Sequence, residues 1–509
     1  MLSRVLGMVR QILFTALIGT DNTAANAYVN AFRVPDLVFN LVSGGALASA
    51  FIPTFAGYLA KNSEKSEAEG WRVASTVFYL MLLILLPVLV IAIILAPHFV
   101  PLMMEGPGNT ALIDATVPLT RIMLLQPLFM ALITICQGVS NSYMRFTAPA
   151  LAPLVYNLTI IGGILVGHFV GVIAVAWALT LGAGLQLLVQ VPFLPQGPRL
   201  FRLAFAFGSS GVRDIARLML PRIFGQAGVQ VTFLATTVLG NTLSSNPNAA
   251  LYSGWTVVLL PVGIFASALA TTAFPVMSRQ AASNDREGFA RTVSQTMRMV
   301  FFLTVPAAAG LILLAPEVER VLYAHGDSAN ALAVHLTTLA IVYYAIGIPG
   351  HALAEVLPRA FYAIRNTRTP VLVVLWTLSM GVFLSVLAVK LLPSEDEQVA
   401  GLALAISMAV LLEAANLSIA LRRAVPEFAL GPLGWSLVRV NLAAGVMLAG
   451  LGWIVQHVTH AGSLGFFGSL ATVALCVPLG ACLYLAVALL LRVPEAKTVL
   501  AGVLRRLGL

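Results

Sequence analysis

Charge is scarce in this chain of 509 residues: 10% are Asp, Glu, Lys or Arg, 59% are hydrophobic, and the mean hydropathy is +0.93. A water-soluble globule of this size needs more polar surface, so that class is excluded. Cysteine is almost absent. Cys136, Cys476 and Cys482 lie in apolar stretches without metal-ligand or redox spacing and read as small buried hydrophobes. The seven histidines are dispersed. No GxSxG, HExxH or P-loop pattern occurs, and no paired acidic motif sits at a loop, so the chain offers no catalytic, metal or cofactor motif and does not read as an enzyme. The net charge of +9 comes from basic residues scattered through short loops, which argues against nucleic acid as a partner. The first apolar stretch carries two arginines and lacks a small-residue cleavage site, so the first helix is expected to be retained.

What the chain does have is a succession of apolar runs of roughly 20 residues, each long enough to cross a hydrocarbon core as a helix. Runs this continuous do not match the alternating ten-residue segments of a membrane barrel. The expectation is an all-α polytopic membrane protein of about fourteen spans, at 2–19, 26–58, 72–96, 113–140, 148–168, 171–194, 212–240, 248–278, 291–315, 331–362, 369–391, 399–421, 434–457 and 465–491. A Phe- and Arg-rich stretch from Pro195 to Ser210 is expected at the membrane interface. Alternate loops divide the basic residues unequally. Lys61, Lys65, Arg145, Arg213, Arg279, Arg368, Arg422, Arg423 and Lys497 fall on one side, and little beyond Arg320 and Lys390 falls on the other. The rich side should be cytoplasmic, with both termini there.

The chain also repeats itself. Ala50-Phe51-Ile52-Pro53, a charged loop and Leu95-Ala96-Pro97 are echoed by Ala273-Phe274-Pro275, a charged loop and Leu314-Ala315-Pro316. Tyr143-Met144-Arg145 before Pro149 is echoed by Tyr362 to Arg365 before Pro370. Two six-helix units in the same orientation make a parallel repeat, an arrangement used by transporters that rock around a central site. The expected division is an N-lobe over 1–195, a C-lobe over 196–424, and a final helix pair with a basic tail over 425–509.

Two spans carry polar stripes. On a helical wheel, Ser3, Arg4, Gly7, Arg10, Gln11 and Thr15 fall within about 140°, and Asn26, Asn30, Arg33, Asp36, Asn40 and Gly44 within about 120°. A charge at mid-membrane is costly and normally faces a cavity or a partner. Arg10 has no acidic residue on its own helix, and its guanidinium suits phosphate oxygens, so it is read as lining an anion-binding cavity. Arg4 either joins it or snorkels to the surface, and Arg33 and Asp36 at i and i+3 either neutralise each other or face the cavity. Arg222, after Pro221, is the second lobe's counterpart. Glu355 and Glu413 are isolated carboxylates, read either as proton or cation sites or as partners of arginines such as Arg359 and Arg422. Pro35, Pro53, Pro127, Pro261 and Pro349 interrupt spans and offer points of bending.

Several stretches resemble a known family. They are Ser3 to Arg10, Asn141 to Pro153, Ala176-Trp177-Ala178 with Gln186 and Pro192, and Phe361-Tyr362-Ala363 to Thr369-Pro370. Together they are similar to the MurJ (MviN) family of bacterial lipid II flippases, within the multidrug/oligosaccharidyl-lipid/polysaccharide exporter superfamily. The resemblance implies alternating access in the bacterial inner membrane, with a polyprenyl-pyrophosphate-linked glycan lipid, lipid II foremost, as the partner. It implies that Arg4 and Arg10 line the headgroup cavity and that the C-terminal helix pair forms a groove for the polyprenyl tail; the polar stripes and the second-lobe position place Ser3, Gln11, Asn26, Asn30, Arg33 and Arg222 with them as candidate cavity residues. The chain departs from the family pattern at Asn26, where an acidic residue is usual, at Phe39 and Gly44, and at Ser253-Gly254-Trp255-Thr256, where an arginine is expected. No Asp or Glu occurs within the apolar seventh or eleventh span for a sodium site. These departures keep open a flippase for another polyprenyl-linked glycan, or a flippase-like scaffold that no longer transports.

Overall fold

The computed structural model describes the backbone of residues 2–19, 22–42, 47–59, 61, 63–104, 110–145, 147–195, 202, 206–323, 331–459 and 465–506. Side chains are described for the same residues except 2–5, 42, 48–49, 53, 220–222, 224–229, 458–459 and 502–506. The expected interfacial stretch before Ser210 and the expected Gly44 position lie largely or wholly outside these residues.

Long apolar sequence has nowhere to satisfy its backbone in lipid except within a helix, and every regular element among the described residues is a helix. By contact the chain divides into two compact units, Met1–Ala249 and Ala250–His325 with Ala329–Leu509. The first contains α1 (Leu2–Ile18), α2 (Thr23–Val42), α3 (Ala48–Leu59), α4 (Glu64–Leu102), α5 (Thr110–Met123), α6 (Gln126–Ser142), α7 (Thr147–Val170), α8 (Ile173–Gln190) and α9 (Ser210–Asn241). In it, α1 packs on α7, α7 on α8, and α2 on α5 and α9. Gly163 on α7 lets Ala178 of α8 approach so closely that an added Cβ would lie 2.0 Å from the alanine methyl. Phe51, Phe55, Trp71 and Val139 join Met219 of α9 in a buried core.

The second unit begins within α10 (Asn248–Pro261) and holds α11 (Ser267–Ala282), α12 (Arg286–Leu313), α13 (Ala315–Leu322), α14 (Ala331–Ala345), α15 (Ile348–Ala363), α16 (Arg368–Leu391), α17 (Glu395–Ala424), α18 (Gly431–Ile454), α19 (Gly465–Leu490) and α20 (Pro494–Arg506). Here α16 and α17 pair, α15 packs on α11, α12 and α17, and α18 lies on α12 and α19. Ser394 and Glu397 form a reciprocal cap at the start of α17, whose first turn is acidic and whose last turn holds Arg422 and Arg423, matching both ends of the helix dipole. The C-terminal helix α20 is tied down by an Arg298–Glu495 ion pair of 2.7 Å to α12.

Among the described residues, ten helices are long and apolar enough to span, or eleven if the bent pair α14 and α15 is one span. The expected spans at 2–19, 26–58 and 212–240 correspond to α1, α2 with α3, and α9. Over the described residues these helices do not meet that test on their own; with them included, the described helices are consistent with the fourteen expected spans. The echo around Tyr143 and Tyr362 has a backbone counterpart. Met144 (φ 57°) and Arg365 (φ 60°) both adopt the left-handed conformation after a helix. Beyond them, Arg145 N–H donates to the Ser140 carbonyl and Asn366 N–H to the Phe361 carbonyl, each at 2.9 Å. This is the same six-to-one helix closure at the same place in each repeat. The contact boundary at 249/250 differs from the lobe boundary expected at 195/196, since α9, expected in the second lobe, packs on α2, α3 and α4.

Candidate functional site

The polar stripe of α2 is divided in two. Its N-terminal half is sealed. Asn26 and Asn30 are 1% and 2% exposed. Asn26 Oδ1 accepts from Ala249 N–H at 2.9 Å, and its amide donates to the Asn22 carbonyl at 3.2 Å. Asn30 and Asn241, at the end of α9, exchange amide hydrogen bonds of 3.1 and 3.0 Å. Asn248 donates to Asn241 Oδ1 at 2.8 Å, to Asn30 Oδ1 at 3.4 Å and to the Thr237 carbonyl at 3.1 Å. Asn241 also donates to the Met103 carbonyl at 2.8 Å. Asn30 thus uses two donors and two acceptor positions, its full capacity. Of these two expected cavity-lining residues, Asn30 is saturated by protein partners in this conformation, and Asn26, with one donor and one acceptor position in use, is covered by protein. Gly240 makes room for this cluster, since an added Cβ would sit 2.5 Å from Asn248 Oδ1.

The C-terminal half of the stripe is more open. Arg33, Asp36 and Asn40 are half-buried. The Arg33 guanidinium lies 5.8 Å from the centre of the Phe233 ring, and Asn40 donates to Asp36 Oδ1 at 2.9 Å. On α1, Arg10 is half-buried and Gln11 is 7% exposed, with Thr15 Oγ1 donating to the Gln11 carbonyl one turn on. The side chains of Ser3, Arg4 and Arg222 lie outside the described residues, although their helices do not.

In the second unit, Glu355 Oε2 pairs with Arg359 Nη1 at 3.0 Å, the arginine-partner alternative of the two read from the sequence. His351, one turn earlier, packs edge-on against Trp255 with centroids 4.9 Å apart. Glu413 has no ion-pair or hydrogen-bond partner among the described residues, and Arg422 is exposed one helix end away. Cys136 and Cys476 are buried as expected; Cys482 is exposed, on a lipid-length helix whose outer face the sequence pattern did not distinguish.

The lipid-facing side of α18 carries an apolar groove of about 630 Å³ running from Leu437 to Ala449, with Asn441 its polar lining residue. At its head, Arg439 stacks over Trp435 at 5.1 Å. Sequence reasoning passed over this pair, and over Asn241 and Asn248. A Trp–Arg pair at i and i+4 near the start of an apolar span was the available signal for the first. For the second, Asn241, Asn246-Pro247 and Asn248 read as an ordinary polar turn.

Many apolar spans define a polytopic membrane protein, and its fold is one shared with solved membrane transporters. A structure described as an inward-facing multidrug resistance MATE family transporter superposes with a TM-score of 0.70 at 14% identity, covering 86% of this chain and 95% of that one. The family model described as "Lipid II flippase MurJ" matches residues 14–472, and the chain belongs to that family. A solved lipid II flippase MurJ in an inward closed conformation has a TM-score of 0.78 at 21% identity, covering 96% of this chain and 97% of that one. Among similar proteins, the lipid II flippase MurJ of Burkholderia cenocepacia is 28% identical, over 95% of this chain and 94% of its own. The probable lipid II flippase MurJ of Haemophilus influenzae is 27% identical, over 97% and 98%.

Proposed function

We propose that this chain moves lipid II from the inner to the outer leaflet of the bacterial inner membrane by alternating access, with fourteen spans, the repeat-defined lobes 1–195 and 196–424, and both termini cytoplasmic. The observation that carries this reading is the divided stripe of α2. Its sealed half belongs to the non-cytoplasmic end under the basic-loop orientation, and Arg33 and Asp36 lie towards the cytoplasmic end. A headgroup arriving from the cytoplasm meets Arg10 and Arg33, whose guanidinium groups suit pyrophosphate oxygens. Release on the other side requires α2 to part from α9, breaking the asparagine cluster. Arg4, Ser3, Gln11 and Arg222 complete the headgroup surface in this proposal, Asn26 and Asn30 act as the latch, and Asp36 and Glu413 are the charges available for coupling, with Glu355 tied to Arg359. The groove on α18 takes the polyprenyl tail.

The test is translocation of lipid II in proteoliposomes by the full chain and by Arg10→Ala. Translocation by wild type, with loss in a folded Arg10→Ala protein, is the expected result; normal transport by the variant removes Arg10 from the mechanism. A second reading, a flippase for another polyprenyl-linked glycan, is favoured by one observation. Asn26, at the position where the family is usually acidic, is a neutral amide spent on Ala249 and Asn22. Preference for a different polyprenyl-pyrophosphate glycan in the same assay decides for it, and no movement of any lipid decides for a non-transporting scaffold.

A further inference from the structure

The head of the α18 groove carries chemistry that an apolar tail does not need. On the wheel of α18, Leu437, Asn441, Leu442, Gly445 and Val446 share one arc, Trp435 falls inside it, and Arg439 stands at its edge about 40° from Trp435. Leu442 and Val446 are 57% and 49% exposed, and no atom lies within 4 Å of the position a Gly445 Cβ would take, so the protein leaves this trough uncovered. From Leu437 to Ala449 it runs about 18 Å along the helix, more than half of a hydrocarbon core about 30 Å thick.

Arg439 is half-buried and held from two sides. Its guanidinium stacks over Trp435, and Nη1 donates to the Arg492 carbonyl at 3.3 Å. Arg492 is the left-handed residue (φ 55°) that closes α19, so the cation is fixed at the level where that span ends. Arg439 has no carboxylate partner among the described residues, and a lipid-facing cation is retained where it meets an anion. A loose snorkelling arginine would not be stacked and hydrogen-bonded in place; pre-organisation of this kind lowers the cost of binding. The residue whose carbonyl it grips supplies a second, exposed guanidinium, Arg492. A guanidinium fixed beside an apolar groove, with a second guanidinium carried by the residue whose carbonyl it grips, suits a diphosphate on a long chain better than a singly charged phosphodiester.

We propose that Trp435, Arg439 and Arg492 form a loading site that captures the pyrophosphate of a polyprenyl-linked lipid at the cytoplasmic leaflet, while its chain lies in the α18 groove, before the headgroup moves to α1 and α2. The inference rests on the flippase reading in naming the ligand, and Arg439 acts in it as a positioning residue for uptake.

The test is native mass spectrometry of the full chain with two probes, a sugar-free polyprenyl diphosphate and phosphatidylglycerol. Wild type, Arg439→Gln and Arg439→Lys are compared, each also in an Arg10→Ala background so that binding at α1 is separated. Loss of a charge-assisted contact worth about 1.4 kcal/mol or more is at least tenfold in affinity, so Arg439→Gln should weaken retention of the diphosphate about tenfold in both backgrounds, with partial recovery in Arg439→Lys. Equal retention by Arg439→Gln overturns the proposal, as does displacement of the diphosphate by an equal concentration of phosphatidylglycerol, which would make this a general phospholipid position. The function is judged separately: lipid II translocation by wild type, with diphosphate binding indifferent to Arg439, sinks the loading site and leaves the flippase standing.

Discussion

Replacing Asn30 with Ala removes three hydrogen bonds that join α2 to the Asn241–Asn248 segment: Asn30 to Asn241 Oδ1, Asn241 to Asn30 Oδ1, and Asn248 to Asn30 Oδ1. Amide pairs inside membrane proteins contribute about 0.6 kcal/mol on average and buried ones in general about 0.5–1.5. Three such bonds, with one Asn241 N–H left orphaned, give about 2–4 kcal/mol. If the cluster holds α2 against α9, the ratio of closed to open forms falls by about thirtyfold to a thousandfold. Spin labels at the exposed Thr23 and Thr242, in a protein whose three cysteines are replaced by serine, report that separation through double electron–electron resonance. The wild type should give one short distance, and Asn30→Ala should add a longer population. Asn30→Asp, which loses both donors, faces Asn241 Oδ1 without one and buries a carboxylate, should open the latch at least as far as Asn30→Ala. An unchanged distribution in Asn30→Ala, with the protein folded, would refute the latch and leave the cluster as packing alone.

Gly240→Ala should reproduce part of this opening, because its methyl would meet Asn248 Oδ1 at 2.5 Å and the amide can move only by giving up its bonds; the same label pair measures it. Glu319, on the short helix α13, is 1% exposed, and burial pushes its carboxyl up to about 8, with the Arg320 charge opposing. A carboxyl raised in the folded protein contributes stability that is complete below its ordinary value near 4.5 and is lost as pH rises through about 8. Thermal unfolding in detergent should therefore show a midpoint that falls between pH 5 and 8 in wild type and is flatter in Glu319→Gln; equal slopes would show that the carboxyl ionises freely. Glu495→Gln should cost on the order of 3 kcal/mol by leaving Arg298 with a weakened partner, and limited proteolysis should then release α20. An unaltered digestion pattern would mean that apolar packing alone holds that helix.

Much of the architecture was legible because lipid imposes it: span length, continuous hydropathy and helical backbone closure follow from one constraint, and nearly every expected span has a helix at its place. The repeat was legible in Tyr143 and Tyr362 because each sits just before a left-handed turn residue that ends a helix, so the motif records a local backbone need. What sequence could not supply is which part of a polar stripe is covered. A wheel places Asn26, Asn30, Arg33 and Asp36 on one face without reference to the neighbour, and only the docking of α9 separates the sealed half from the open one. The lobe boundary shows the same limit: the repeat follows chain order, whereas α9 packs by contact with the first unit. Arg439 escaped notice because it lies outside the repeat, where its meaning depends on the Arg492 carbonyl 53 residues away.

The division of α2 also constrains how a headgroup can drive release. Asn26 and Asn30 share one helix with Arg33 and Asp36, interrupted within it only by Pro35, so a pull on the basic end is transmitted along a nearly rigid rod to the latch. A ligand shifts an equilibrium only by its differential affinity for the two forms. To open a latch worth about 2–4 kcal/mol, the headgroup must bind Arg10 and Arg33 better in the open form by a comparable amount, which one or two charge-assisted hydrogen bonds of about 1.5–3 kcal/mol supply. A neutral residue at position 26 fits that arithmetic, because an ionised carboxylate buried there would add a desolvation penalty to the closed form and weaken the latch. Asn26→Asp should accordingly favour the long spin-label distance without any ligand, and a distribution that stays closed would show that the carboxylate finds compensation in the cluster.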